Sequence, residues 1–240
     1  MSKYWKLTGK PIYLVGDLHT NYKEFKSMYD SGKYKNCYFI FLGDQTIVRE
    51  ADFNQFKKLD KAFFDDNNIG LFLRGNHDSP FMHNYELYTK YFKSFYPLHT
   101  GYIYCNGKKG LILNGAVTVN RSLLVEGVKY WKDYDKVDDW NETEPVDFII
   151  GHTGPLPSAG IFNSDCSRFI LEDKVLSSDL AKEQATLKDI GKAVRPKFWC
   201  CGHYHTNMHH SITSGNVSYD VHMVNKNAIF NFSKYLKKYV

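Results

Sequence analysis

The sequence predicts an α/β protein with either one mixed sheet or two packed sheets. Three observations predict it. Five short apolar runs, rich in β-branched and aromatic residues, each end at a glycine. Helical patterns with an aromatic face lie between them. The second half then changes to hairpin patterns, so parallel and antiparallel strands coexist.

The five runs are IYLVGD (12–17), CYFIFLGD (37–44), IGLFLRGNHD (69–78), DFIIGH (147–152) and KFWCCGH (197–203). Continuous apolar runs of this length predict strands buried on both faces. The first helix falls over 21–32, where Asn21 and Glu24 have capping-box spacing and Gly32 stops the pattern. A second is predicted over 51–64, opened by Asp52 and Gln55. A third covers 85–97, with Tyr85, Tyr88, Phe92 and Phe95 on one face, and a fourth covers 177–196, ended by Pro196. Residues 102–119 read as a hairpin turning at Asn106-Gly107, and 217–232 as another turning near Asn225–Asn227. A long Gly/Pro/Ser-bearing loop is expected over 151–169.

Composition bounds the rest. The chain has 240 residues, 43% of them apolar and 16% aromatic, which suits one globular domain over 1–240. No apolar run is long enough to cross a membrane and no leader peptide is recognisable. The five cysteines have no framework spacing, so reduced thiols and a cytoplasmic location are expected. Cys200 and Cys201 read as core residues, not as part of a zinc knot, because no Cys-x-x-Cys spacing is present. The net charge of +5 reads as a lysine-rich surface that also favours anionic substrates. No basic arm is present beyond the short tail KYLKKYV, so nucleic acid stays open as a partner but is not indicated.

Ligands bind at the carboxyl ends of strands in open α/β sheets. Here those ends carry Asp17 and His19, Asp44, Asn76 and His77, His152, and His203 and His205. Extended geometry would point residues i and i+2 the same way, pairing Asp17 with His19 and His203 with His205. Two carboxylates, four imidazoles and an amide oxygen form an N/O set that suits Mn, Fe, Zn or Co better than Ca. Seven donors exceed one tetrahedral ion and fit two ions sharing a carboxylate. His209 and His210 read as ordinary surface histidines.

In order, GDLH (16–19), LGD (42–44), RGNHD (74–78), GHT (151–153) and GHYH (202–205) resemble the five motif blocks of the calcineurin-like metallophosphoesterases. GAVTV and the Trp131/Trp140 segment before GHTGP look like a general bacterial or phage branch. The resemblance implies a four-layer α/β/β/α sandwich of mixed sheets, with a dinuclear metal site at the strand ends. It implies Asp17, His19, Asp44 and His205 around one ion, and Asp44, Asn76, His152 and His203 around the other. Asp44 would bridge, and His77 would be the non-ligand acid beside the leaving group. Manganese is the favoured metal.

The implied activity is phosphate-ester hydrolysis by a metal-bridging hydroxide, with a phosphomonoesterase acting on phosphoprotein, nucleotide or a small molecule preferred. A phosphodiesterase or nuclease is the alternative. A non-catalytic scaffold is disfavoured, because every donor and His77 are present. Arg49 and Arg74 are candidate phosphate clamps, while Arg168 reads as a surface residue. GDQTIVRE departs from the GDxxDRG of the protein-phosphatase branch. Ile47 occupies the acid's place, which leaves Asp78 and Asp52 as candidates to orient His77.

Overall fold

The structure, a computed structural model, describes residues 5–30, 32–156 and 164–240. Two sheets stack face to face. The smaller sheet contains β2 (Ile12–Val15), β3 (Tyr38–Phe41), β4 (Ile69–Phe72), β5 (Phe95–Pro97) and β12 (Ile229–Asn231), in the order β12-β2-β3-β4-β5. The larger runs β1-β6-β7-β8-β9-β11-β10. Its strands are β1 (Trp5–Leu7), β6 (Gly101–Cys105), β7 (Lys108–Leu113), β8 (Phe148–Gly151), β9 (Phe198–Cys201), β10 (Met208–Ser214) and β11 (Val217–Met223). Both sheets mix parallel and antiparallel pairs.

Strand alternation divides the core into three layers. Ile40 and Leu42 face the inter-sheet layer, together with Ile150 and Cys200. Phe39 and Phe41 face outward onto α1 (Tyr22–Tyr29) and α2 (Glu50–Asp65), in a layer dense with phenylalanine. Trp199 and Cys201 face the other way, onto Leu187, Ile190 and Val194 of α5 (Leu176–Val194). The four-layer α/β/β/α sandwich is therefore present. Adjacent Cys200 and Cys201 are each fully buried, on opposite faces of β9. Cys37, Cys105, Cys200 and Cys201 are all free thiols.

Several expectations are corrected. The predicted helix 85–97 stops early, as α3 (Tyr85–Tyr91). The Asp60 carboxylate accepts the backbone N–H groups of Lys93 and Ser94, and this turns the chain into β5, which pairs parallel with β4. The predicted hairpin 217–232 does not form. β11 pairs with β10 across Gly215, which sits at φ +61°. Asn225–Asn227 instead carries the chain between sheets, and β12 joins β2 antiparallel. The tail is no arm but helix α6 (Phe232–Tyr239), docked through buried Phe232 and Leu236.

Of the loop read over 151–169, residues 157–163 lie outside the described residues, and Ser164–Glu172 forms α4. No helix among the described residues is long and apolar enough to cross a membrane.

Candidate metal centre

The carboxyl ends of β2, β3 and β4 in one sheet meet those of β8 and β9 in the other. Asp17 is fully buried, as is His152, and Asp44 is 1% exposed. Buried carboxylates need compensating partners. Among the described residues neither aspartate pairs with a lysine or arginine; their charged neighbours are histidines. Asp17 accepts the backbone N–H of His203 at 3.1 Å, and Asp44 Oδ1 accepts that of His77 at 2.8 Å.

The side chains form two groups, within each of which the donor atoms lie within 4.8 Å of one another: Asp17, His19 and His205, and Asp44, His152 and His203. In the first, His205 Nε2 is 3.2 Å and His19 Nε2 3.9 Å from Asp17 Oδ2. The two Nε2 atoms are 2.8 Å apart. Asp44 touches both groups. Its Oδ1 is 3.6 Å from His152 Nε2, and its Oδ2 is 3.7 Å from His19 Nε2.

His203 and His205 do not point together as extended geometry would require. Both sit at positive φ, 65° and 51°, and they divide between the groups. His19 and Asp44 also have positive φ, 45° and 52°. Non-glycine residues adopt this region rarely, and such strain collects at functional sites. The glycines before the donors have a steric reason. A Cβ on Gly75 would overlap the Asp44 carboxylate, and one on Gly202 would overlap that of Asp17.

The donor chemistry fits divalent cations. His152 Nδ1 lies 2.7 Å from the Leu42 carbonyl, which places a proton on Nδ1 and leaves Nε2 as a lone pair. That Nε2 faces Asn76 Oδ1 at 2.9 Å, while the Asn76 amide nitrogen donates to Thr118 Oγ1 at 3.3 Å. Two acceptors in contact repel unless a proton or a cation lies with them. Without a cation, burial opposes charge on His152, but Asp44 and Asp17 outweigh it and raise its pKa. Burial alone would raise the Asp44 pKa; His152, His77 and His19 instead hold it below the ordinary carboxylate range. Burial lowers His19 to about 4, against the pull of Asp44 and Asp17, and His203 to about 3. Both imidazoles are therefore neutral and able to ligate at neutral pH.

The remaining candidates divide. His77 stands beside His19, ring centres 5.6 Å apart, outside both groups. Neither Asp78 nor Asp52 orients it. Asp78 accepts backbone N–H groups of Gly75, Ile47 and Gln45, and Asp52 those of Val48 and Arg49. His77 Nδ1 meets the Lys129 carbonyl instead, a contact sequence reasoning missed.

Arg49 and Arg74 do not line the cavity at the centre. Arg49 is drawn to the start of α2 by Asp52, with its side chain 75% exposed. Arg74 is buried and bound to Asp138 at 2.5 Å. Arg168 pairs with Glu172 on the surface. His209 lies near Asp220, and His210 meets the Pro155 carbonyl, both outside the donor groups.

Two packed mixed sheets thus bring together, at their shared strand ends, two Asp/His groups able to hold metal ions. A model of the calcineurin-like phosphoesterases matches residues 10–207. The chain belongs to that family, whose chemistry is metal-dependent phosphoester hydrolysis. Among solved structures, TT1561 of Thermus thermophilus is 11% identical at TM-score 0.51, covering 95% of this chain and 96% of that one. A second crystal structure is 14% identical with the same coverage and TM-score. Both share the fold. A comparison with curated protein sequences finds no match.

Proposed function

We propose that this chain is a phosphomonoesterase that works with two divalent cations, with manganese favoured. Asp17, His19, Asp44 and His205 would hold one, and Asp44, Asn76, His152 and His203 the other. The observation that carries this reading is Asp44, whose two carboxylate oxygens each face a different histidine group. When bound, the cations supply a water ionised near neutral pH and positive charge for the phosphate. The chain's own residues do the rest. His203 N–H fixes Asp17, and the Leu42 carbonyl fixes the His152 tautomer. His77, outside both groups and lining the cavity, donates the proton that the departing alcohol oxygen requires. The cavity lined by His19, Asp44, Asn76 and His77 has room for one compact organic substituent, which supports a monoester over a diester.

The test is elemental analysis beside turnover. The purified protein should hold two transition ions per chain. Chelation should abolish hydrolysis of 4-nitrophenyl phosphate, and Mn²⁺ should restore it. Undiminished activity in verified metal-free protein would refute the reading.

A further inference from the structure

A cavity of about 300 Å³ opens onto the donor groups. Its lining includes His19, His77, His203 and His205 together with the apolar Val119, Leu156, Phe169 and Leu180. Among the described residues no lysine or arginine lines it. The cleft next to it, of about 750 Å³, is different: it carries charges of both signs, with Arg121, Lys132 and Lys136 beside Asp135, Asp173 and Asp179.

The remaining polar side chains of the cavity are mostly spoken for. Gln184 Oε1 accepts the Leu156 N–H at 2.7 Å, and its amide nitrogen donates to the Tyr204 hydroxyl at 3.3 Å. That hydroxyl donates to the Gly154 carbonyl at 2.6 Å and meets Thr153 Oγ1 at 2.8 Å. These two residues brace the Thr153–Leu156 segment. Glu183 and Asn120 remain. Glu183 is 6% exposed, lines the cavity, and uses one oxygen to accept the Val117 N–H at 2.6 Å. Burial raises its pKa to about 8, which favours the protonated form that can donate.

We propose that this cavity seats the organic part of the substrate. The substrate is then the phosphate monoester of a small, uncharged, largely apolar alcohol or phenol, with a hydrogen-bond acceptor that meets Glu183. This rests on the phosphomonoesterase reading above. The volume is at the small end for ligand pockets and suits one compact group. A second phosphate or a carboxylate placed here would lose its water against four apolar side chains, with no lysine or arginine among the described residues to replace it. Each buried methylene should instead strengthen binding roughly fourfold. The cavity therefore argues against nucleoside polyphosphates and nucleic acid.

The experiment compares phenyl phosphate, phosphoglycolate and ADP on the Mn²⁺-loaded enzyme. Phenyl phosphate should lead in kcat/KM by at least about tenfold. Phe169→Lys should lower phenyl phosphate turnover about tenfold and raise that of phosphoglycolate, with metal content unchanged. Glu183→Leu should remove a roughly tenfold preference for 3-acetylphenyl over 3-ethylphenyl phosphate, and Glu183→Gln should keep it. Equal turnover of the two esters and of the ADP anhydride would overturn the cavity assignment and leave the phosphomonoesterase reading standing. If no ester is hydrolysed, that reading fails and binding decides the cavity. Phenol should then shift the methyl NMR signals of Val119 and Leu180 where glycolate does not, and no shift with phenol would overturn the assignment.

Discussion

The Nδ1 of His77 lies 3.1 Å from the backbone carbonyl oxygen of Lys129. The carbonyl holds a proton on Nδ1 and so fixes how Nε2 is presented. It carries no net charge, so it orients the ring through a hydrogen bond and not an ion pair. The residue that positions the proposed acid thus comes from the segment between β7 and β8, and through its main chain.

His77→Ala should slow an alkyl phosphate by about a hundredfold or more. A 4-nitrophenyl ester should slow far less, because its leaving group needs no proton. Metal content should not change, since His77 lies outside both donor groups. Equal slowing of the two esters would remove the acid role.

The Lys129 carbonyl depends on a turn built on Gly127. That residue has φ +80°, and its N–H donates to the Tyr130 carbonyl at 2.7 Å. Valine is strained in that conformation. Gly127→Val should therefore displace the carbonyl and copy His77→Ala in milder form, sparing the nitrophenyl ester. Nitrogen-15 NMR of His77 should show a mixed tautomer in place of a fixed one. An unchanged His77 spectrum would show that the turn does not position the ring.

Arg74 tests structure against catalysis. Its guanidinium is 6% exposed and held by Asp138. Arg74→Ala should cost about 2 kcal/mol of stability, the scale of a charged hydrogen bond. The KM for 4-nitrophenyl phosphate should stay the same. A large rise in KM with unaltered stability would restore Arg74 as a phosphate clamp.

These predictions mark what was legible in the sequence. A strand that runs into a glycine and then a polar residue is a local signal, so β2, β3, β4, β8 and β9 could be read directly, with the six Asp and His side chains that cluster at their ends. The contact between His77 and Lys129 could not, because it joins a side chain to a carbonyl 52 residues away. β1, β5 and β12 have three residues each, too few to show a period of two. The helix expected over 85–97 had a sound aromatic face, but the Asp60 carboxylate captures its last turn from another element. Arg49 had the right neighbourhood in sequence, yet Asp52 three positions on draws it to the helix start. Side chains that divide between partners do so by tertiary geometry, and spacing alone does not report it.

Glu183 gives a pH dependence with a defined sign. Burial raises its pKa in the folded state from an ordinary 4.5 to about 8. Between those values the unfolded chain has lost the proton while the native state keeps it. Its contribution to stability is therefore full below about 4.5 and is lost as pH rises towards 8, by at most about 1.4 kcal/mol per pH unit. Glu183→Gln has no proton to lose and should flatten this fall. Denaturant unfolding at pH 5 and pH 8 measures it. Parallel slopes for the variant and the wild type would mean that Glu183 is ionised in the folded protein.

Asp44→Asn is the sharpest test of two coupled ions. The variant keeps an oxygen to accept the His77 N–H, so the local backbone has no new unpaired donor. It removes one negative charge from both histidine groups at once, because Asp44 faces each of them. An amide also offers one good ligand atom where a carboxylate offers two. Metal content should fall from two ions per chain to below one, and the rise in Tm on adding Mn²⁺ should shrink with it. His19→Ala alters only the group with Asp17 and His205, so it should lose about one ion and keep the other. Two tightly bound ions in Asp44→Asn, with an undiminished Tm response, would show that Asp44 does not join the two groups. One ion lost from Asp44→Asn and none from His19→Ala would place a single cation beside His152 and His203.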